Sequence, residues 1–329
     1  MTFRPTRRDV LRYGSVAALA AFPAPAIAQA QWPNKPIKIV CTYPPGGLTD
    51  VFSRAYGEHI AQKTGQSVVV ENKTGAAGAI GAEIVAKSPA DGYTIMFTNS
   101  TTMVQNRVLF KKLPYDPDKD FALVSWHDTG HLPTVVHKDV PATNMAELAA
   151  WAKGRKVSFA TYGIGSYAHI VIETLNKNHG FNIEAVHYRG EGAMWPDLSS
   201  GTVQGATGSY FASLATLQTG NARIVAVPTL KRMKKVPNVP TFFEQGLKDK
   251  AFQVRGWVGS AVPAGTPTEI VQRLSALMVE GGKTERVQKI LDQFGIDGSA
   301  EDATFFRKVL DEEAPVVLDI IRGLNIEPT

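Results

Sequence analysis

The segment Tyr43-Pro44-Pro45-Gly46-Gly47-Leu48-Thr49-Asp50 is the first with chemistry to offer. Two adjacent glycines let a ligand approach the backbone. A helix starting just after them would present free N–H groups with partial positive charge, so the segment suits an anion such as a carboxylate. The same residues also suit a plain tight turn in which Asp50 only caps the helix. A second segment of like make-up is Thr161-Tyr162-Gly163-Ile164-Gly165-Ser166-Tyr167-Ala168-His169, with Ser166 placed to cap a helix and His169 one turn inside it. It satisfies the dinucleotide spacing G-x-G-x-x-A, but the acid required at the end of the next strand is missing: Glu184 falls near that strand's start and His187 near its end. Nor is it a nucleophile elbow, G-x-S-x-G, because Gly165 adjoins Ser166 and Ala168 follows. No cofactor is expected.

Three further patterns have weaker claims. His127-Asp128-Thr129-Gly130-His131 looks like a zinc-protease H-E-x-x-H with Asp for Glu. That motif needs a helix to bring both imidazoles to one face, and Gly130 with Pro133 argues against one, so no metal is expected and the histidines are placed at a chain crossing. Gly75-Ala76-Ala77-Gly78-Ala79-Ile80-Gly81 is glycine-rich but lacks the Lys-Ser/Thr of a phosphate loop, and reads as a place where a helix packs closely. Lys231-Arg232-Met233-Lys234-Lys235 has no interleaved aromatics, so it reads as a solvated loop and no nucleic-acid partner is expected.

The elements that must position these loops follow from periodicity. Strands are predicted at 37–42, 67–71 and 93–98 with helices at 50–63 and 77–87 between them, a βαβαβ unit with a parallel sheet. A similar unit begins again with a capping box at Asn144 and Glu147: helix to 153, strand 157–161, helix 166–178, strands 183–187 and 223–227. Residues 123–137 connect the two. From Thr266-Pro267-Thr268-Glu269 onward the chain reads as helices only, which must cover the first sheet. The chain therefore passes from one lobe to the other and back, crossing near 130 and 253, with the ligand in the cleft between.

Composition sets the class. The chain has 329 residues, 44% hydrophobic, one cysteine and a formal charge of +5, which excludes disordered, disulfide-rich and collagen-like chains and points to two domains. Residues 1–12 carry Arg4, Arg7, Arg8 and Arg12 against Asp9. An apolar stretch at 16–22, too short to span a bilayer, then runs into Ala26-Ile27-Ala28, so residues 1–28 read as a signal peptide cleaved near Ala28 or Ala30. Thr6-Arg7-Arg8-Asp9-Val10-Leu11-Arg12 resembles a twin-arginine signal with Val10 where Phe is commonest; Sec export is the alternative. Removing this segment's net +3 from +5 leaves +2. Cys41 lies too far along to be a lipoprotein cysteine and reads as a small buried hydrophobe. A periplasmic protein without membrane insertion is expected.

Several motifs in order resemble one family. These are Tyr43–Gly47 with Asp50, Val69-Val70-Glu71-Asn72-Lys73 with Gly75, Gly78 and Gly81, Pro89-Ala90-Asp91-Gly92-Tyr93-Thr94, and Gly165-Ser166 with His169. His187-Tyr188-Arg189-Gly190, Pro240-Thr241 with Glu244 and Gly246, and Gly256-Trp257 with Pro263-Ala264-Gly265-Thr266-Pro267 continue the series. Together they resemble the substrate-binding receptors of tripartite tricarboxylate transporters, also called Bug receptors. The resemblance implies an α/β, two-lobed periplasmic binding protein of type II-like architecture: two doubly wound sheets joined by two crossover strands. Residues 29–130 and 254–329 would form lobe 1, and residues 131–253 lobe 2. It implies a non-catalytic monomer that captures a small organic carboxylate and delivers it to membrane subunits of the transporter. Its ligand residues would be Tyr43, Pro45, Gly46, Gly47, Asp50, Tyr162, Gly165, Ser166, His169, Arg189 and Ser209. Departures bear on specificity: His187 and Arg189 stand where the family commonly has Pro and Lys, and 205–209 lacks the acid often found nearby, which a ligand amine would want. The expected ligand therefore has no ammonium group and is a dicarboxylate or an aromatic carboxylate, with Tyr43, Tyr162 and Tyr210 as ring contacts. The alternatives are a twin-arginine-exported, cofactor-dependent oxidoreductase and a ligand receptor for a sensor kinase.

Overall fold

The computed structural model describes residues 32–130, 132–254, 256–324 and 326–328, and the predicted signal peptide lies outside the described residues. Lys35 to Thr329 form one compact unit. Its first strand, β1 (Ile37–Cys41), is buried along almost its whole length, as a strand covered on both faces must be. Cys41 is inside it, as expected; burial pushes its thiol up to about 11. After β1 come α1 (Leu48–Thr64), β2 (Val68–Asn72), α2 (Ala79–Ala86) and β3 (Thr94–Asn99). Both β2 and β3 run parallel to β1, so the predicted βαβαβ unit is present.

A π-turn at Thr101–Gln105 leads into the short α3 (Asn106–Leu109), then β4 (Phe121–Asp128) and β5 (Thr134–His137). The second unit continues as α4 (Met145–Ala152), β6 (Val157–Thr161), α5 (Tyr167–His179), β7 (Ile183–His187), α6 (Met194–Ser200), β8 (Gly205–Thr207), α7 (Tyr210–Gln218) and β9 (Ala222–Ala226). Asn144 caps α4 by accepting from the Glu147 amide, the geometry its capping box predicts. The sheet order is β7-β6-β8-β5-β9.

The C-terminal part departs from expectation. It holds α8 (Thr268–Gly281), α9 (Glu285–Phe294) and α10 (Ala303–Gly323), but also β10 (Trp257–Pro263) and β11 (Ala300–Asp302). The first sheet is ordered β11-β4-β10-β3-β1-β2, so β10 lies in its middle, antiparallel to β3 and β4. Gly259 allows this, since a Cβ there would run into the Phe306 ring of α10. Thr266 does not cap α8; its hydroxyl donates to the Pro263 carbonyl at 2.7 Å, and Pro267 takes the cap position. The chain passes between the sheets at 129–133 and again within 227–256.

One motif also finds another place. His127 belongs to the core of the first sheet rather than to a crossing, with Tyr56, Phe52 and Phe97 ring centroids at 4.5, 5.5 and 5.8 Å. Its Nε2 is 2.8 Å from Ser125 Oγ, which lies 2.7 Å from Ser260 Oγ on β10. Among the described residues no group of three or more His, Cys, Asp or Glu could hold a metal. The 231–235 run is exposed apart from Met233, as expected of a solvated loop, and Lys234 and Lys235 pair at its surface with Asp297 at 2.9 Å and Asp292 at 2.6 Å.

Burial lowers the His127 pKa from 6.5 to about 3. Above pH 6.5 neither folded nor unfolded chain is protonated there; between 6.5 and 3 only the unfolded chain takes up the proton, so stability is lost as the pH is lowered, by up to about 1.4 kcal/mol per unit. Thermal unfolding across pH 7 to 4 should show a shallower fall in Tm for His127→Gln than for the wild type.

Candidate functional site

Helix α1 begins after Gly47 with no side-chain cap. The first intrahelical bond runs from the Val51 amide to the Gly47 carbonyl, so the amides of Leu48, Thr49 and Asp50 have no partner within the helix. Asp50 is the residue that could have filled this end, and it turns away. Its carboxylate, only 4% exposed, accepts from Gly46 N–H (3.0 Å), Arg54 Nε (3.1 Å) and Asn72 Nδ2 (2.8 Å). Asn72 also donates to the Tyr43 carbonyl at 2.9 Å and accepts from Arg54 Nη2 at 3.0 Å. Burial pushes the Asp50 carboxyl up, but the hydrogen bonds from Arg54, Asn72 and Gly46 outweigh it and hold the group below the ordinary carboxylate range.

The Tyr43 ring is fixed at its other end. Its hydroxyl, the Thr102 hydroxyl and the Asn106 amide converge on the Ala77 carbonyl at 3.2, 3.0 and 3.1 Å. Ala77 reaches that position with a left-handed backbone (φ 49°). A Cβ at Gly78 would run into Thr102 Oγ1, and one at Gly81 would meet Thr42 and the Lys73 carbonyl. The glycine-rich stretch therefore does let α2 pack close, as predicted.

Tyr43, Pro45, Gly46 and Gly47 line a cavity of about 630 Å³. Ser100 and Thr101, where β3 passes into the π-turn, stand beside them, and Tyr162, Arg189 and Ser209 face them from the second sheet's loops. Of the residues singled out in the sequence, Asp50, Gly165, Ser166, His169 and Tyr210 do not line the cavity. Asp50 is committed to its loop. Ser166 is buried and its hydroxyl caps α5 by accepting from the His169 amide. Gly165 packs so closely on Leu109 that a Cβ would run into it. His169 Nδ1 accepts from the Gly165 amide at 3.0 Å and its Nε2 faces Glu173 at 3.6 Å.

Tyr162 stands in front of the α5 N-terminus. Burial, then the nearness of Glu191 and Tyr43, push its pKa far above an ordinary tyrosine, while the Tyr167 and Ala168 amides act in the opposite sense. The two glycine-bearing loops are thus unequal: the first opens onto the cavity, whereas the second lies behind a phenol. Sequence reasoning missed Ser100, Thr101, Trp195, Trp257 and Glu191, all on the cavity wall. The acid found lacking around 205–209 is supplied by Glu191, whose carboxylate accepts from the Ser209 amide (3.0 Å) and hydroxyl (2.6 Å). Gly190-Glu191-Gly192 carries no periodic signal that could have marked it. Among the described residues no helix is long and apolar enough to cross a membrane.

Comparison with known proteins agrees with this arrangement. Residues 52–326 match the tripartite tricarboxylate transporter family receptor model, TctC. The chain is 33% identical over 293 residues to the UPF0065 protein in the tcbD-tcbE intergenic region of Pseudomonas sp. strain P51, covering 88% of this chain and 86% of that one. It is 32% identical over 277 residues to protein BugT of Bordetella pertussis, covering 83% and 84% of the two. The solved structure of R. palustris Rpa4515 with adipate has a TM-score of 0.84 at 29% identity, with 91% of this chain and 100% of that one covered.

The Asp50 bonds generate a prediction. Asp50→Ala removes a buried anion that satisfies three donors, and hydrogen bonds to charged groups contribute about 1.5–3 kcal/mol each before relaxation. Urea unfolding should show a loss of about 2 kcal/mol or more.

Proposed function

The chain belongs to the tripartite tricarboxylate transporter receptor family, and we propose that it is a periplasmic solute receptor, not an enzyme, that captures a small organic carboxylate. The observation that carries this reading is the uncapped N-terminus of α1 at a cavity wall. The Leu48 and Thr49 amides, with the Ser100 and Thr101 hydroxyls, offer hydrogen-bond donors to a carboxylate and no competing anion of their own. The relative described with adipate supports the ligand class. Residues 1–28 would direct export and be removed near Ala28 or Ala30. Residues 29–130 with 254–329 would act as one lobe and 131–253 as the other, closing as a monomer and passing the ligand to the transporter's membrane subunits.

Thermal-shift measurements across mono-, di- and tricarboxylates test the reading. A ligand at 100 times its Kd should stabilise the protein by about 2.7 kcal/mol, and no stabilisation by any member of the panel would refute it. Gly47 has an ordinary extended backbone (φ −80°, ψ 167°), so Gly47→Leu should fold normally and weaken affinity at least about tenfold, through a side chain set over the α1 amides. Ser166→Ala should cost about 1 kcal/mol of stability as a lost cap and leave affinity within a few-fold of wild type.

A further inference from the structure

The basic run Lys231–Lys235 takes no part in the cavity, yet one of its side chains is wholly buried. Met233 is 0% exposed between neighbours that are exposed on both sides. Its methyl group lies on Gly295, the left-handed residue (φ 67°) that ends α9, so closely that a Cβ there would run into it. Glycine is common at a helix end for backbone reasons alone. Here the missing side chain also makes the seat that Met233 fills, and an unbranched, flexible side chain suits such a seat. The two lysines that follow fix the loop from outside, Lys234 on Asp297 at 2.9 Å and Lys235 on Asp292 at 2.6 Å.

The two sides of this contact belong to different halves of the molecule, one around each sheet. The loop is rooted in the second half: Arg232 Nε donates to both Glu244 oxygens at 3.0 and 2.9 Å, Glu244 accepts from the Thr241 amide at 2.8 Å, and the Phe242 amide donates to the Val227 carbonyl beside β9 at 2.9 Å. The seat belongs to the first half. Its turn leads from α9 into β11 of the first sheet, and a Cβ at Gly298 would lie 3.1 Å from the Asp128 Cβ on β4. The turn is also backed by the first crossing, where a Cβ at Gly130 would lie 2.8 Å from Ile296. Phe294, the residue before the seat, lines the cavity and stacks on Phe211 of α7 at 4.4 Å. Exposed ion pairs hold little by themselves, so the buried thioether and the ring stack supply the attraction while the pairs set how the loop lies on the turn.

We propose that the 231–235 loop is a latch between the halves: Met233, seated on Gly295, holds the second half on the α9 turn and so keeps Phe294 in the cavity wall. Its bearing on affinity rests on the reading of this cavity as a carboxylate site. Affinity is then set partly outside the cavity, because apparent affinity falls in proportion to the share of molecules in the competent arrangement. Met233, Lys234 and Lys235 are positioning residues and touch no ligand.

Small-angle scattering of the ligand-free protein tests the latch itself. Met233→Ala and the double variant Lys234→Glu with Lys235→Glu, each folded by circular dichroism, should both have a larger radius of gyration than the wild type. Calorimetry with adipate should show Kd raised at least about threefold in each, as the competent share falls from most molecules to a minority. Lys234→Asp alone should weaken adipate binding, and adding Asp297→Lys, which exchanges the partners across the halves, should restore it; damage confined to the loop would not be reversed from α9. An unchanged radius of gyration in both variants would overturn the proposal whatever adipate does. A radius that rises as expected, with a wild type that binds neither adipate nor any other carboxylate, would uphold the latch and refute the receptor reading instead.

Discussion

The site depends on where one buried carboxylate points. Asp50 sits in the first turn of α1, where the helix dipole and the free amides would welcome it as a cap. Had it capped, it would have occupied the helix N-terminus that the first loop turns toward the cavity. Instead Arg54, one turn on, and Asn72, from the end of β2, draw the carboxylate back under the loop, and Gly46 donates to it from above. The same Asn72 amide holds the Tyr43 carbonyl. One anion thus fixes both ends of the loop and leaves the helix N-terminus free for a different anion. Its cost is a desolvated charge, and three donors offset it.

The sequence made the first loop legible because glycine and a helix start are local signals with a physical meaning. It also made β1, β2, β3, β6 and β7 legible, since each is a short apolar or β-branched run between turn residues. What it concealed was non-local. β8 is three residues, Gly205-Ala206-Thr207, too short to show alternation, and its glycine is needed only because the Phe159 ring lies against it. β10 reads as the approach to a helical region, yet it occupies the centre of the first sheet because β3 and β4 both leave an antiparallel edge to it. Ser166 and His169 have the types and spacing of ligand residues, and spacing cannot say whether a hydroxyl caps its own helix or reaches a cleft. Here the local bond won. Glu191 was invisible for the opposite reason, since nothing in Gly190-Glu191-Gly192 foretells that Ser209 will hold it.

Charge illustrates the same division between sum and place. The formal +5 of the whole chain invites an anionic partner, but three of those charges fall in the segment read as a signal peptide. What selects an anion is local: backbone amides at one helix end, aimed by a loop whose own acid is turned aside. At the cavity the opposing charge, Glu191, is equally local. Net charge governs solubility and encounter, and oriented dipoles over a few ångströms govern what is held.

The inequality of the two loops bears on how the halves of the molecule hold together. Around the cavity, elements of the two sheets meet at small contacts: Gly190 against Pro44, Gly165 against Leu109, and Phe211 stacked on Phe294 at 4.4 Å. Lys234 and Lys235 add pairs to Asp297 and Asp292 that remain largely exposed. Exposed pairs contribute about 0–1 kcal/mol each and an aromatic pair about 0.5–1.5 kcal/mol. These ion and ring pairs therefore sum to about 0.5–3.5 kcal/mol, the size of about one charge-assisted hydrogen bond. With the α5 amides turned to Tyr162 and the α1 amides open, a bound carboxylate would engage the first half directly and the second half through Tyr162, Arg189 and the ligand's own body.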